Sequence, residues 1–373
     1  MKKHIFLSLL LIGVFVLAAC QPQTVEVEKE VEVTREVEVE VEVEVTAVPP
    51  PEPINITFQA GYLFQGNISM VAAYVAQEKG YFTEQGLDVE MAFTSPGGGE
   101  NRQRLVAKDI EFTTWAASSF ADVMSEDPEL PFVSVVMFGQ DGDLSLMVLE
   151  DSGIQAMTDL VGKTVGFKGG GEPAWLLAML VQSGLTLDDV EMVSVGYDPR
   201  VLLPEFGAGQ VDALQGYKAN EPDTLTRLGY PVRVFRPEDY GVPLMGQMYV
   251  THKDLVRDNP EIVQAFVRAT MKALEYILDP ANAEEVTDYV MIFAGEDRDR
   301  DHEQFMWQTE IESVTSPSTD AVGLGYATDE QWQAMMDIMV EYEAIETAVP
   351  VDVLWDPQFV EAIYDENGLI WPG

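Results

Sequence analysis

The chain has 373 residues, with 64 acidic against 21 basic side chains and a formal charge of −43. This charge argues against nucleic acid as a partner, because nucleic-acid binding needs basic faces. Hydrophobic residues make up 47% of the chain, and its length exceeds what one ordinary core serves, so two lobes are expected.

The first twenty residues have the order of an export signal. Lys2 and Lys3 precede an apolar run over residues 5–16, and Leu17-Ala18-Ala19-Cys20 resembles a bacterial lipobox. A transmembrane anchor is the alternative, but the run is shorter than the roughly 20 residues that span a bilayer. We therefore expect residues 1–19 to be a signal peptide and Cys20 to carry lipid, which anchors the protein to the extracytoplasmic face of the cell membrane.

Cys20 is also the only cysteine of the chain, which excludes intrachain disulfides and cysteine metal sites. The following stretch, residues 20–53, contains alternating Val and Glu from Val25 to Val45 and ends in prolines. Fully extended, the alternating part reaches about 70 Å. It is predicted to be a charged spacer, and a β-ribbon pairing with other copies remains the alternative.

From Ile54 onward, strand patterns alternate with helix patterns, which predicts an α/β fold with mostly parallel sheets. The alternation runs over residues 54–142 and restarts over residues 143–245. Residues 246–373 begin with one more strand and then read mainly helical. The predicted helices of this last part are Pro260–Leu278, Ala283–Ile292, Asp301–Ile311 and Asp329–Tyr342.

Two glycine loops, residues 94–100 and 168–172, each follow a strand and open a helix. Such loops let backbone N–H groups approach a ligand, and ligands of open α/β sheets sit beyond the strand ends. Aromatic and polar side chains cluster near the same strand ends. The candidate ligand residues are Tyr62, Gln65, Trp115, Gly170, Glu172, Trp175, Tyr197, Tyr217, Asn220 and Glu221. Tight turns, core packing and helix capping are their alternative roles.

Several motifs resemble the NMT1/THI5-like solute-binding proteins. They are Ala72-Ala73-Tyr74-Val75-Ala76-Gln77-Glu78-Lys79-Gly80-Tyr81-Phe82 with Gly86-Leu87-Asp88-Val89-Glu90, Asp159–Gly166, Gly209–Ala213 and Asp239–Pro243. The resemblance covers roughly residues 54–278. It implies a two-lobed periplasmic-binding-protein fold of type II with two crossover segments. The first lobe would consist of residues 54–142 and 246–373, and the second lobe of residues 143–245.

The resemblance further implies that the lobes close on a small ligand and deliver it to the permease and ATPase subunits of an ABC importer. Members of the family bind thiamine-precursor pyrimidines, riboflavin, sulfonates, taurine or nitrate. The Val/Glu spacer together with this core looks most like the riboflavin-binding lipoproteins. The ligand expected here is therefore riboflavin, with an aminopyrimidine as the alternative.

Three rival functions remain at this point. A related branch of the family is enzymatic and needs a lysine and a histidine for pyridoxal phosphate plus a cysteine-rich motif. This chain has only His4, His252 and His302, the latter two predicted at the surface, so neither an enzyme nor a cofactor or metal is expected. A sulfonate or nitrate ligand would need Lys168 or Arg200 as its cationic partner. A structural surface protein would use the spacer as the ribbon through which copies assemble.

Overall fold

The computed structural model describes residues 52–95, 99–168, 173–204 and 210–373. Cys20, the Val/Glu spacer and the candidate ligand residues Gly170 and Glu172 lie outside these described residues. Pro51–Gly373 forms a single compact unit.

The strands of the described residues follow the predicted alternation closely. They are β1 Ile54–Ala60, β2 Leu87–Phe93, β3 Phe112–Ala116, β4 Phe132–Met137, β5 Leu144–Leu149, β6 Thr164–Lys168, β7 Glu191–Val195, β8 Ala213–Tyr217, β9 Val232–Phe235, β10 Gln247–His252, β11 Tyr364–Asp365 and β12 Gly368–Leu369. All six residues of β4 are buried, which explains why its sequence is apolar at every position except Ser134 rather than alternating.

Among the described residues, these strands form two sheets of five strands with the same topology. The first sheet has the order β2-β1-β3-β10-β4 and the second has the order β7-β6-β8-β5-β9. In each sheet the fourth strand of this order is antiparallel to its neighbours, and the strands before it are parallel. β11 and β12 form a separate antiparallel hairpin.

The helices cover the sheets and make up most of the carboxyl-terminal region. They are α1 Ile68–Glu78, α2 Tyr81–Glu84, α3 Glu100–Ala107, α4 Ala117–Glu126, α5 Ala174–Gln182, α6 Glu221–Arg227, α7 Lys253–Asp258, α8 Pro260–Leu278, α9 Ala283–Ala294, α10 Arg300–Glu310, α11 Pro317–Ala321, α12 Asp329–Glu341, α13 Val351–Leu354 and α14 Gln358–Glu361. The predicted α/β fold of two lobes with a helical carboxyl-terminal region is confirmed. Within the part of the chain that the structure describes, no helix combines the length and the apolar character needed to cross a bilayer.

α8 joins the carboxyl-terminal region to the first sheet. Pro260 occupies its first turn, where a missing N–H does no harm, and its apolar residues recur on one face. The ring of Phe266 on this face stacks on Phe112 of β3 with centroids 3.9 Å apart. The core of the first lobe therefore combines residues that precede and residues that follow the second sheet in the chain.

Two segments connect the sheets, one from β4 to β5 and one from β9 to β10, and they touch at a pair of glycines. Gly246 donates its N–H to the carbonyl of Gly139 at 2.9 Å, and Phe138 donates its N–H to the carbonyl of Gln247 at 2.9 Å. A Cβ atom on Gly139 would lie 2.7 Å from the Cα of Gly246. The segments can approach this closely because both positions are glycine and lack a Cβ atom.

One prediction about histidines is wrong. His252 is 6% exposed, and its Nδ1 accepts a hydrogen bond from the N–H of Asp254 at 3.0 Å, so it caps α7 rather than facing solvent. Burial lowers the pKa of this imidazole. His302 is also largely buried, between α10 and α6, with 12% of its side chain exposed. Neither position is a free surface histidine.

Candidate ligand-binding cleft

Several of the candidate residues lie at the carboxyl ends of parallel strands. Tyr62 and Gln65 follow β1, Tyr197 follows β7, and Tyr217 is the last residue of β8. Ligands of α/β sheets bind beyond the carboxyl ends of the strands. We call this region, together with the cavity described next, the candidate cleft.

A cavity of about 900 Å³ lies between the lobes at this position. One side comes from the first turn of α4, the other from the end of β6 and from α5, and the carboxyl-terminal end of α12 closes it. Its lining includes Ser118, Ser119, Lys168, Trp175, Met339 and Tyr342. Small-molecule sites have volumes of about 300–1,000 Å³, so the cavity has room for a ligand with several rings.

A buried ion pair joins the end of β6, which lines the cavity, to the start of α6. Lys168 Nζ contacts Glu221 Oε1, and the two side chains are only 5% and 8% exposed. Glu221 Oε2 accepts the N–H of Tyr217 at 2.8 Å, and the Lys168 N–H donates to Gln215 Oε1 at 2.9 Å. Glu221 was predicted as a ligand residue, whereas Lys168 was considered only for an anionic ligand. The pairing neutralises both charges, so neither one is available alone.

Two tyrosines flank this ion pair. Lys168 Nζ lies 5.9 Å from the ring centroids of both Tyr197 and Tyr217. Tyr197 is 67% exposed and Tyr217 is 36% exposed, so both keep ring surface for a ligand. Desolvation, with the carboxylates of Asp143 and Glu221 nearby, raises the pKa of the Tyr217 hydroxyl. Its hydroxyl therefore stays protonated at neutral pH.

The other aromatic candidates are held more tightly. Trp115 is partly buried, with its ring centroid 5.5 Å from that of Phe120 and 5.9 Å from that of Phe132. Trp175 is 4% exposed and only borders the cavity. Tyr62 is exposed beside β1. Gln65 is half-buried, and its N–H donates to the Tyr74 hydroxyl at 3.2 Å, which fixes the backbone of this loop.

Asn220 contacts the opposite lobe. Its Oδ1 lies 3.2 Å from His302 Nε2, and His302 Nδ1 lies 2.6 Å from Asp223 Oδ2. Arg227 Nη1 lies 3.5 Å from Asp299 Oδ2 beside this group. α6 of the second lobe and α10 of the first are thus linked along one edge of the candidate cleft. No local sequence pattern predicts this link, because its partners are about 80 residues apart.

Buried polar groups near the two connecting segments were also missed. Asp143 accepts a hydrogen bond from Gln247 Nε2 at 2.7 Å, and Lys218 Nζ donates to Ser313 Oγ at 2.8 Å. Burial raises the pKa of Asp143. In the described ranges, no group of three or more His, Cys, Asp or Glu side chains is arranged to hold a metal ion.

Known proteins resemble this chain in sequence and in fold. A formylaminopyrimidine-binding protein of Halalkalibacterium halodurans is 32% identical over 55% of this chain, which spans 62% of that protein's length. A riboflavin-binding protein of Chloroflexus aurantiacus is 26% identical over 79% of this chain and 83% of its own length. The periplasmic aliphatic sulphonate binding protein of Escherichia coli superposes with a TM-score of 0.62 at 18% identity, covering 83% of this chain and 93% of that one.

The structural similarity, at this low identity, concerns the fold alone. The family profile described as "NMT1/THI5 like" matches residues 67–283, which is more than half of the chain. The chain therefore belongs to the NMT1/THI5-like family.

Proposed function

We propose that this protein is the extracytoplasmic solute-binding component of an ABC importer, and that it captures a small heteroaromatic vitamin, riboflavin first. The observation that carries the proposal is the pair of exposed tyrosines, Tyr197 and Tyr217, around the neutralised Lys168–Glu221 pair. Flat rings stack on aromatic side chains, and the neutralised pair leaves no net charge beside them. Two relatives are named as a formylaminopyrimidine-binding protein and a riboflavin-binding protein, and both names support the same class of ligand.

In the proposed mechanism, residues 54–142 with 246–373 form one lobe and residues 143–245 form the other. The ring enters between them, stacks on the tyrosines, and presents its polar edges to Gln65, Asn220 and Glu221. Gly170 and Glu172 of the second glycine loop are expected to add contacts. Rotation about the Gly139–Gly246 contact then buries the ligand, and the closed form docks on the permease.

The location of the protein is part of the proposal. Cys20 would carry the lipid and the Val/Glu spacer would hold the lobes away from the membrane, with the acidic charge keeping them off anionic headgroups. Replacing Cys20→Ser should release the protein from the membrane fraction. Retention of that variant in the membrane would contradict lipid anchoring.

An aminopyrimidine precursor of thiamine is the second candidate ligand. It is favoured by the higher identity to the formylaminopyrimidine-binding protein and by the Glu221 carboxylate, which accepts hydrogen bonds from an exocyclic amine. A sulfonate or nitrate is disfavoured because Lys168 is already paired. Enzymatic synthesis of the pyrimidine is disfavoured because the chain lacks the cysteine-rich motif of that branch.

The test uses the full-length chain purified in mild detergent. Riboflavin fluorescence should be quenched on binding, and calorimetry with riboflavin and with 4-amino-5-hydroxymethyl-2-methylpyrimidine should identify the preferred ligand. Tyr197→Leu should weaken binding about 2- to 12-fold, the equivalent of one aromatic stacking contact, whereas the matched control Tyr197→Phe keeps the ring. Absence of both quenching and heat at micromolar concentrations would refute the ligand class.

A further inference from the structure

The start of α1 directly follows the loop that leaves β1, and this loop carries the candidate residues Tyr62 and Gln65. The first N–H groups of a helix have no partner within it and normally attract anions. Here the N–H groups of the first three helical residues all have internal acceptors. Ile68 N–H donates to Glu310 Oε2 at 2.6 Å, Ser69 N–H donates to Asn67 Oδ1 at 3.2 Å, and Met70 N–H donates to the Asn67 carbonyl at 2.9 Å.

α10 supplies a second carboxylate to the same loop. Glu303 and Glu310 are seven positions apart and therefore share one face of the helix. Glu303 Oε2 accepts the N–H of Gly66 at 2.6 Å, and its Oε1 accepts from Arg298 Nε at 2.6 Å. Glu310 Oε1 accepts from Asn67 Nδ2 at 3.0 Å. Both glutamates are buried, so solvent does not compete for these bonds.

The surroundings of Glu310 are also unfavourable for an added anion. Burial, with a contribution from Asp143, raises the pKa of Glu310 to about 8. A protonated carboxyl still accepts through free lone pairs on its oxygens, so the N–H groups stay occupied across this range. Lys218, the nearest buried cation, is bound to Ser313 and lies 3.8 Å from Glu238.

We propose that Glu303 and Glu310 are specificity-determining residues, which fill the anion position at the start of α1 so that the ligand presents a neutral or cationic group to this end of the candidate cleft. The inference rests on the proposed function, since it assumes that the cleft binds the ligand. It deepens that function by excluding sulfonates, phosphates and carboxylates from this position.

The first experiment asks whether the position binds an anion once it is vacated. In the full-length chain, Glu310→Ala removes the carboxyl and leaves the Ile68 N–H without an acceptor. Formate should then raise the melting temperature of the variant by about 2–4 °C, measured against chloride at equal ionic strength. The wild type and the matched control Glu312→Ala, an exposed glutamate two positions away, should show no such rise.

The second experiment measures binding of butanesulfonate and inorganic phosphate to the wild type by calorimetry. Neither should bind, because the N–H groups of Gly66 and Ile68 already donate to Glu303 and Glu310 and are not free for an added anion. Micromolar binding of either anion to the wild type would overturn the inference, as would a folded Glu310→Ala variant that formate does not stabilise. If that variant does not fold, the wild-type measurement decides. Failure of riboflavin and the aminopyrimidine to bind would refute the proposed function and would leave these anion results standing.

Discussion

The contact between Gly139 and Gly246 gives the sharpest prediction for stability. In Gly139→Ala, the new Cβ would lie 2.7 Å from the Cα of Gly246 and 3.0 Å from the carbonyl oxygen of Asp141. Both neighbours are backbone atoms, so no flexible side chain can move aside. The two connecting segments must separate, and the hydrogen bond from the Gly246 N–H to the Gly139 carbonyl lengthens from 2.9 Å.

The magnitude follows from these two effects. Forcing an extra methyl into a packed site costs about 1–3 kcal/mol. A weakened backbone hydrogen bond adds about 0.5–1.5 kcal/mol. We therefore expect the free energy of unfolding to fall by about 2–4 kcal/mol in Gly139→Ala, with weaker ligand binding because the segments that join the lobes no longer meet.

Urea denaturation followed by tryptophan fluorescence measures this change. Gly196→Ala is the matched control, because among the described residues no atom lies within 4 Å of the added Cβ and its φ is not in the left-handed region. The control should stay within about 0.5 kcal/mol of the wild type. A Gly139→Ala protein that is as stable as this control would refute the close packing of the two segments.

Three further predictions concern buried polar groups. Lys168→Ala leaves the Glu221 carboxylate buried without its partner, so the free energy of unfolding measured by denaturation should fall by about 3–5 kcal/mol. Adding Glu221→Leu should recover part of this loss. An unchanged stability in Lys168→Ala would show that Glu221 is solvated. Tyr249→Phe removes the hydroxyl that donates to the Ser69 carbonyl at 2.5 Å and should reduce stability by about 1 kcal/mol, and no loss in the same assay would count against this bond. The pKa of Glu310 is raised from 4.5 to about 8, so the folded state binds the carboxyl proton more tightly than the unfolded state does. The resulting contribution to the free energy of unfolding is full below pH 4.5 and is lost as the pH rises towards 8. Denaturation across this pH range should show a shallower decline in Glu310→Gln than in the wild type, and parallel curves would contradict the assignment.

The sequence predicted the elements well where the signal is local. The alternation of Ile54, Ile56 and Phe58 marks β1, and the apolar face that starts after Pro260 gave both ends of α8 correctly. Period and capping are properties of neighbouring residues, so they can be read without the fold. The start of β3 is less clear from the sequence, because buried Ile110 extends the apolar pattern although strand pairing begins only at Phe112.

The polar arrangement of the candidate cleft was harder to predict. Lys168 and Glu221 are 53 positions apart, and Ile68 and Glu310 are 242 positions apart. Such pairs depend on how the two sheets are placed, which no local pattern encodes. Two glutamates seven positions apart on one helix are an observable signal, but on a chain this acidic they do not stand out from solvated glutamates.

The position of β10 has a consequence for the order of folding. All strands of the second sheet lie within residues 144–235, whereas the first sheet inserts β10, from residues 247–252, between β3 and β4. During synthesis from the amino-terminal end, all strands of the second sheet are made before β10. β4 therefore cannot pair with β10 until the whole second sheet has been made. Long-range pairing of this kind is slow and leaves apolar strands exposed. The buried and mostly apolar β4 is thus a segment that needs protection during folding.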